Sequence, residues 1–256
     1  MENPFAPEIL VEAHGPVRVV KMNRPEQLNA VNARLHHGLA RVWRFVAEDP
    51  EARAVVFTGE GRGFSAGGDM AFLQELRGNP ARRRASLEEA AMIVTEMIDC
   101  PLPIVGAVNG PAVGLGCSVA VLCDIVYIAE SAYIADPHVG VGLTAGDGGA
   151  PAWPLLAMLL KAKEYLLTGE RISPQEAVAM GLANRVVPDA ELMERAMALA
   201  EKLAKQPQQA IRTTKKAINM HLARGVRGPL EYALAAEYHS FDTPEHGDFV
   251  DKFLNR

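Results

Sequence analysis

The sequence predicts an α/β protein, with a largely parallel sheet and crossover helices followed by a helical C-terminal region. Two patterns support this class. Before residue 148, short apolar and β-branched segments alternate with amphipathic ones, as strands and helices do in βαβ units. After Gly148 the pattern is helical almost throughout. With 256 residues, of which 49% are hydrophobic and 22% charged, the chain has the composition of a globular protein with a sizeable core.

Turn and capping signals place the N-terminal elements. Gly15-Pro16 separates two apolar segments, so we expect strands at 9–11 and 17–22. Asn32 is placed to cap a helix over residues 33–48, in which every third or fourth residue is apolar. The chain therefore begins with a strand pair followed by an amphipathic helix.

Prolines and glycines bound the later elements. Ser86 and Glu89 match a capping box that opens a helix, and this helix ends before Pro101. Further on, Ser173 is placed to cap a helix that Gly181 ends. The remaining expected elements are strands at 54–58, 104–108, 125–129 and 132–135 and a short apolar helix over 118–123.

Charge and composition exclude several classes of function. The net charge is −5, and we interpret the only dense basic run, 82–84, as a solvated helix start, so no nucleic-acid partner is expected. No apolar run is as long as a membrane span, which needs about 18 residues, and no signal peptide is expected. We therefore expect no membrane partner. Cys100, Cys117 and Cys123 lie in apolar surroundings without metal-ligand spacing. They predict buried thiols of a cytoplasmic protein and no metal site.

Two glycine-rich turns each follow a predicted strand. They span residues 61–70 and 109–118, where the main chain can approach a ligand closely because glycine has no Cβ. A helix that begins at such a turn presents unpaired N–H groups and the positive end of its dipole. These groups stabilise a developing oxyanion. The second turn alone is equally compatible with an ordinary strand-to-helix connection, but the pair favours an oxyanion site.

Together, the two turns resemble those of the crotonase (enoyl-CoA hydratase/isomerase) superfamily. The resemblance extends from about residue 9 to residue 256, with further similar segments in the family's order, including Asn23-Arg24-Pro25, Cys123-Asp124-Ile125 and Leu167-Thr168-Gly169. It implies an α/β fold of the crotonase type. This fold is a ββα spiral with two roughly perpendicular sheets and a C-terminal helical trimerisation region.

The same resemblance implies a division of the chain and an assembly. We expect the spiral core over residues 1–195 and the trimerisation region over residues 196–256. The expected assembly is a homotrimer or a dimer of trimers. Apolar residues of the C-terminal region support assembly, because a single chain would leave some of them uncovered. They are Ala233, Leu234, Tyr238 and Phe241.

The resemblance also implies the substrate and the residues that bind it. In the family, two loops each give one backbone N–H to the thioester oxygen of an acyl-CoA, and the matching positions here are Gly68 and Leu115. An acyl-CoA is therefore the expected substrate, with coenzyme A as part of it and no separate cofactor. The other positions expected to contact substrate are Arg24, Leu28, Ala30, Ala66, Gly67, Asp69 and Gly114.

The catalytic positions depart from those of the family's hydratases. Adding water to an unsaturated thioester needs a carboxylate to activate water and an acid to protonate Cα. The two family positions hold Ser118 and His138 instead. Ser118 is a candidate by position, although its apolar helix favours a packing role, and His138 is a candidate acid or base near neutral pH. Asp147, on the same pocket-wall segment, is the candidate replacement carboxylate, with a helix N-cap as the alternative.

Three functions remain open. The first is an enzyme of hydratase or isomerase type that acts on acyl-CoA thioesters through an enolate, in fatty-acid or related metabolism. The second is a C–C (β-diketone) or thioester hydrolase, in which Asp147 orients His138 to activate water. In that case Glu237 or Glu231 would assist, although both are expected to face solvent. The third is a non-catalytic acyl-CoA-binding protein that kept the oxyanion loops.

Overall fold

The computed structural model describes residues 3–254, and within them the chain forms one six-stranded sheet and one two-stranded sheet. The strands are β1 (Ile9–His14), β2 (Val17–Met22), β3 (Ala54–Gly59), β4 (Ile104–Val108), β5 (Ala112–Val113), β6 (Ile125–Ala129), β7 (Ile134–Ala135) and β8 (Arg185–Val187). The large sheet has the order β1-β2-β3-β4-β6-β8, and its neighbouring strands are all parallel except for the antiparallel β1–β2 pair. The small sheet pairs β5 with β7.

The helices connect the strands and then dominate the C-terminal third. They are α1 (Ala33–Leu39), α2 (Val42–Ala47), α3 (Met70–Gly78), α4 (Pro80–Asp99), α5 (Leu115–Val121), α6 (Gly149–Leu156), α7 (Leu159–Thr168), α8 (Pro174–Met180), α9 (Leu192–Ala204), α10 (Gln208–Ser240) and α11 (Pro244–Leu254). Helix α9 packs on the large sheet, while α10 packs on α4 and α6. The predicted α/β class with a helical C-terminal region is confirmed.

The centre of the core lies on β3, whose six residues are all buried. Phe57 packs edge-on against Trp43 and Phe64, with ring centroids 5.0 Å and 5.2 Å apart. A fully buried strand between parallel neighbours reads as a continuous apolar run rather than an alternating one. This rigid strand leads directly into the first glycine-rich turn and so fixes its position.

The helix predicted over 33–48 is divided into α1 and α2. Asn32 caps α1 as expected, because its side chain accepts a hydrogen bond from the N–H of Leu35. At the break, the N–H of Arg41 binds the carbonyl of Gly38 at 3.0 Å, and its guanidinium binds the carbonyl of His37 at 3.0 Å. The side chain thus satisfies the carbonyl that a continuous helix would have paired with the backbone.

Helix α4 begins before the predicted capping box. Asn79 accepts a hydrogen bond from the N–H of Arg82, and Pro80 occupies the first helical position, so these residues start the helix. Ser86 lies inside the helix and is buried. The capping-box prediction at Ser86 is therefore wrong, because a stronger start signal lies seven residues earlier, at Asn79. The end of the helix before Pro101 is confirmed.

The prediction that the basic run 82–84 is a solvated helix start is wrong for Arg83. The Arg83 side chain is fully buried, and it forms two 2.8 Å hydrogen bonds with the carboxylate of Asp242. Its guanidinium also lies over the rings of Tyr238 and Phe241, 4.8 Å and 5.3 Å from their centroids. Arg83 therefore ties α4 to the end of α10, a long-range contact that sequence spacing does not reveal.

Two short strands and the start of α5 also differ from expectation. β5 and β8 are two and three residues long, which is too short to show a period-2 pattern. Helix α5 begins at Leu115 rather than at residue 118, since Gly114, with φ +54°, turns the chain into the helix. The helix capped by Ser173 and ended by Gly181, α8, occurs as predicted.

The C-terminal apolar residues give no support to the assembly prediction. Ala233, Leu234 and Phe241 are buried within the single chain, and Tyr238 is half-buried beneath Arg83. That argument for a trimer is wrong, because α10 already packs against α4 and α6. The predicted boundary at residue 195 falls inside α9, and the division into two regions stays a prediction.

The structure also bears on the predictions about cysteines, metal ligands and membrane spans. Cys100, Cys117 and Cys123 are buried free thiols, as expected, and burial raises the pKa of each. In the described part of the chain, no cluster of three or more histidine, cysteine or acidic side chains is placed to hold a metal ion. No helix over residues 3–254 has both the length and the hydropathy of a bilayer-spanning segment.

Candidate active site

The two glycine-rich turns lie side by side. Ser65 and Ala112 form a parallel bridge, in which the N–H of Ser65 binds the carbonyl of Pro111 and the N–H of Val113 binds the carbonyl of Ser65, each at 2.9 Å. Gly67 has φ +87°, and a Cβ there would lie only 2.9 Å from the carbonyl oxygen of Val113. Glycine is therefore required for the two turns to approach each other.

This contact brings the two predicted oxyanion donors to one cavity. Gly68 and Leu115 both line it. Leu115 is the first residue of α5, so its N–H has no acceptor within the helix. Within residues 3–254, neither the N–H of Leu115 nor that of Gly68 donates a hydrogen bond to the rest of the chain. Two backbone donors are therefore available to a ligand, as the predicted oxyanion role requires.

The cavity has a volume of about 220 Å³ and a mainly apolar wall. Helices α3, α4, α10 and α11 each contribute to this wall. The apolar lining residues include Phe72, Leu76, Leu87 and Phe249 on these helices and Phe241 directly after α10. A largely apolar cleft with a few convergent polar groups is the usual form of a small-molecule site. Here the polar groups come from the two turns, from residues 136–147, and from single side chains on α1, α4 and α10.

His138 lies between two carboxylates at the cavity wall. Its Nδ1 is hydrogen-bonded to Oδ1 of Asp136, and its Nε2 lies 3.5 Å from Oδ2 of Asp147. Burial alone would lower the pKa of His138, but the two carboxylates outweigh burial and raise it well above 6.5. The ring is therefore a cation near neutral pH. The predicted His138–Asp147 pair is brought together, but Asp136 is the residue that holds Nδ1.

Asp147 is an ionised carboxylate held by two neighbours. Its Oδ1 accepts a 3.0 Å hydrogen bond from Oγ of Ser118, and its Oδ2 faces His138. Burial would raise the pKa of Asp147, but the charge of His138 and these contacts lower it below 3.8. Asp147 does not cap α6, whose N-cap position is Gly148 with no side-chain cap bond. The alternative of a helix cap is therefore wrong. Ser118 is buried and contacts Asp147 rather than lining the cavity.

Glu237, on α10, also lines the cavity. Its side chain is buried, its Oε2 has no hydrogen-bond partner among the described residues, and the expectation that it faces solvent is wrong. Burial, followed by the charge of Asp147, raises the pKa of Glu237 to about 8. Glu231 is exposed, as expected. Helical spacing distinguishes the buried Glu237 from the exposed Glu231. Glu237 continues the buried stripe of α10, which is formed by Val226, Leu230, Ala233 and Leu234.

The predicted substrate contacts divide into two groups. Ala66, Gly67 and Gly114 line the cavity. The other four lie outside it and build the frame of the first turn; they are Arg24, Leu28, Ala30 and Asp69. For example, the guanidinium of Arg24 lies 3.0 Å from the carboxylate of Asp69, which caps α3. Contact between these four residues and coenzyme A stays a prediction.

The sequence analysis predicts no role for two buried side chains of this site, Asp136 and His36. Asp136 precedes His138 by two residues, and this Asp-x-His spacing was a usable signal. His36 lines the cavity from α1, where it reads as an ordinary helix residue. Only the fold brings His36 to the segment over 136–147, so no local pattern could have found it.

Fold and cavity together define a crotonase-type protein with a two-turn oxyanion pocket. The sequence model of the enoyl-CoA hydratase/isomerase family matches residues 12–253, and the chain belongs to that family. It is 33% identical over 253 residues to a short-chain-enoyl-CoA hydratase of Clostridium acetobutylicum, covering 97% of this chain and 95% of the relative. The prediction of a family enzyme that acts on acyl-CoA thioesters is confirmed.

Solved structures agree on the fold. An enoyl-CoA hydratase/isomerase from Mycobacterium paratuberculosis is 53% identical, with a TM-score of 0.93 over 96% of this chain and 98% of that chain. A β-diketone hydrolase from the cyanobacterium Anabaena is 28% identical, with a TM-score of 0.85 over 92% of this chain and 94% of that chain. The predicted crotonase-like fold is confirmed.

Proposed function

We propose that this enzyme adds water to the double bond of a 2-enoyl-CoA thioester, or removes it from the product, with a relocated pair of acidic residues. One observation carries the proposal. A single cavity holds two backbone N–H groups that donate to no described residue and two carboxyl groups whose pKa values are shifted in opposite directions. Titratable pairs whose environments push their pKa values apart identify the base and the acid. Asp147 is then the base, and Glu237 is the acid.

The reaction follows from these assignments. The thioester oxygen accepts hydrogen bonds from the N–H groups of Gly68 and Leu115. Asp147 takes a proton from water, the water oxygen bonds to Cβ, and the electrons of the double bond move into the enolate. Glu237 then donates its proton to Cα, which completes the addition of one water molecule. Each oxyanion donor is worth about 3–4 kcal/mol, by analogy with other oxyanion holes.

His138 acts here as a fixed cation rather than as the base. Its raised pKa keeps the ring protonated near neutral pH, so it has no free nitrogen to accept a proton from water. The cation holds Asp147 ionised, and Asp136 holds the ring in place through Nδ1. The cation offsets the buried negative charge of Asp147, which would be costly without a counter-charge.

The proposal is tested with two variants and a matched control. Hydration of crotonyl-CoA is measured for wild type, Asp147→Asn, Glu237→Gln and Glu231→Gln. Both cavity variants lose kcat by about 10²–10⁴, the usual contribution of a positioned acid or base. Glu231 is exposed on the same helix, so its variant keeps wild-type activity. Full hydratase activity in either cavity variant contradicts the assigned roles.

A second candidate is hydrolytic C–C cleavage of a β-diketone. It is favoured by the His138–Asp147 contact in the same cavity as Glu237, and by similarity to the β-diketone hydrolase from Anabaena. The two candidates differ in their need for coenzyme A. Turnover of a free β-diketone, with no hydration of any 2-enoyl-CoA, would select the hydrolase. Tight acyl-CoA binding without either reaction would select the non-catalytic binding protein.

We further propose the assembly and location. A homotrimer or dimer of trimers is supported by five exposed apolar residues on α6, on α7 and between them: Leu155, Met158, Leu159, Leu160 and Leu167. A cytoplasmic location is supported by three free thiols. Coenzyme A enters as part of the substrate, and no separate cofactor is proposed. A stable monomer in analytical ultracentrifugation at micromolar concentration would contradict the assembly.

A further inference from the structure

His36, on α1, lines the cavity but has no role in the proposed acid–base chemistry. Its side chain is only 7% exposed, and its ring lies 5.9 Å from that of Phe72. Burying a polar group without a hydrogen-bond partner costs free energy. The cavity wall is mainly apolar, so a ligand that displaces water from it must offer a polar group to any ring nitrogen of His36 that the protein leaves unbonded.

One ring nitrogen of His36 is held by the protein. Its Nδ1 lies 3.2 Å from Glu89 on α4, and the same carboxylate binds His37 at 2.7 Å and Arg41 at 3.0 Å. Burial would raise the pKa of Glu89, but these three contacts lower it to about 2. The carboxylate is therefore an ionised acceptor at neutral pH, and Nδ1 of His36 carries the proton that it accepts.

The other ring nitrogen, Nε2, has no hydrogen-bond partner within residues 3–254. With Nδ1 protonated, Nε2 accepts a hydrogen bond in the neutral ring and donates one in the cationic ring. It can thus bind a hydroxyl or a keto oxygen. The neighbouring wall is mainly apolar, with Phe72, Leu76 and Leu87, and it also includes the polar side chain of Ser86 on α4.

We propose that His36 is a specificity-determining residue that binds a second oxygen of the acyl group, away from the thioester carbonyl. The inference rests on the proposed function, because it requires the acyl group to enter this cavity. The cavity of about 220 Å³ exceeds the about 150 Å³ that holds benzene in another protein, so a short chain or small ring fits. The preferred substrate is a short acyl-CoA that carries a hydroxyl or keto group. A site built around such a hydrogen bond discriminates against the analogue that lacks it.

Binding of saturated ligands tests this without any reaction. Calorimetry compares hexanoyl-CoA with 5-hydroxyhexanoyl-CoA and 5-oxohexanoyl-CoA. Wild type binds one of the oxygenated ligands about tenfold more tightly than hexanoyl-CoA, the ratio expected for one buried hydrogen bond. In His36→Phe and in His36→Leu this preference disappears, while affinity for hexanoyl-CoA is kept or improved.

His37→Phe is the matched control. His37 binds the same Glu89 carboxylate but is exposed and does not line the cavity, so its variant keeps the preference. Equal binding of all three ligands by wild type overturns the inference, as does a preference that survives in His36→Phe or His36→Leu. A clear preference in an enzyme that hydrates no 2-enoyl-CoA would refute the proposed reaction and leave this inference standing. Failure to bind any acyl-CoA would overturn both.

Discussion

Replacing Glu237 with glutamine gives a sharp prediction, because the substitution keeps the shape of the side chain and removes its ionisation. Glu237 is buried in the cavity and its pKa is raised from 4.5 to about 8. One pKa unit corresponds to about 1.4 kcal/mol, so ionising this group disfavours the folded state by on the order of 5 kcal/mol relative to the unfolded chain. Glutamine cannot ionise, so the variant avoids this loss.

The direction of the effect with pH follows from the raised pKa. Below pH 4.5 the carboxyl of Glu237 is protonated in both the folded and the unfolded state, so its ionisation does not lower the free energy of unfolding. Between pH 4.5 and about 8 the unfolded chain has released its proton while the folded chain still holds it, so wild type loses stability as pH rises. Above about pH 8 the loss is complete. Glu237→Gln therefore becomes progressively more stable than wild type between these pH values.

Urea unfolding at pH 5, 7 and 9 and fixed protein concentration measures this difference. The free energy of unfolding of Glu237→Gln minus that of wild type should rise by several kcal/mol from pH 5 to pH 9. Glu231→Gln, at an exposed position on the same helix, shows no such trend. In wild type, kcat falls above about pH 8, since the acid must be protonated to donate. A difference independent of pH would refute the assignment of Glu237 as a buried neutral acid.

The remaining predictions concern the other groups of the site. Asp147→Asn should lower kcat for crotonyl-CoA hydration by about 10²–10⁴, while the affinity for butyryl-CoA, measured by calorimetry, changes by less than about threefold. An undiminished kcat would show that Asp147 takes no part in the chemistry. Gly68→Pro removes one N–H that donates to no acceptor among residues 3–254, so the folded variant should lose about 10²–10³ in kcat. Retained turnover would rule Gly68 out as a donor. Ser118→Ala removes the 3.0 Å hydrogen bond to Asp147 and should lower kcat by about tenfold through weaker positioning, with unchanged kcat showing that this bond is dispensable.

The glycine-rich turns could be predicted from the sequence, because their function depends on the backbone. Gly67 and Gly114 adopt positive φ where the two turns meet, and glycine is the residue that tolerates both the conformation and the close contact. The donors at Gly68 and Leu115 follow from the same turns. Backbone geometry of this kind is encoded locally, so the oxyanion pocket could be predicted before the structure.

The acid–base groups were only partly readable, because they depend on contacts between distant segments. One segment of the sequence predicts the pair His138 and Asp147, but the partner that holds Nδ1 of His138 is Asp136, two residues away. Glu237 is expected to face solvent, whereas it lies on the buried stripe of α10. Its meeting with Asp147 requires α10 to pack against α6, and no local pattern encodes that contact.

A crystal structure with bound butyryl-CoA, a saturated ligand that cannot react, tests the assigned site most directly. The thioester oxygen is expected at about 2.7–3.1 Å from the backbone nitrogens of Gly68 and Leu115. The carboxyl of Asp147 is expected to face Cβ, and that of Glu237 to face Cα. A thioester oxygen bound away from both N–H groups, or an acyl chain outside this cavity, would contradict this assignment.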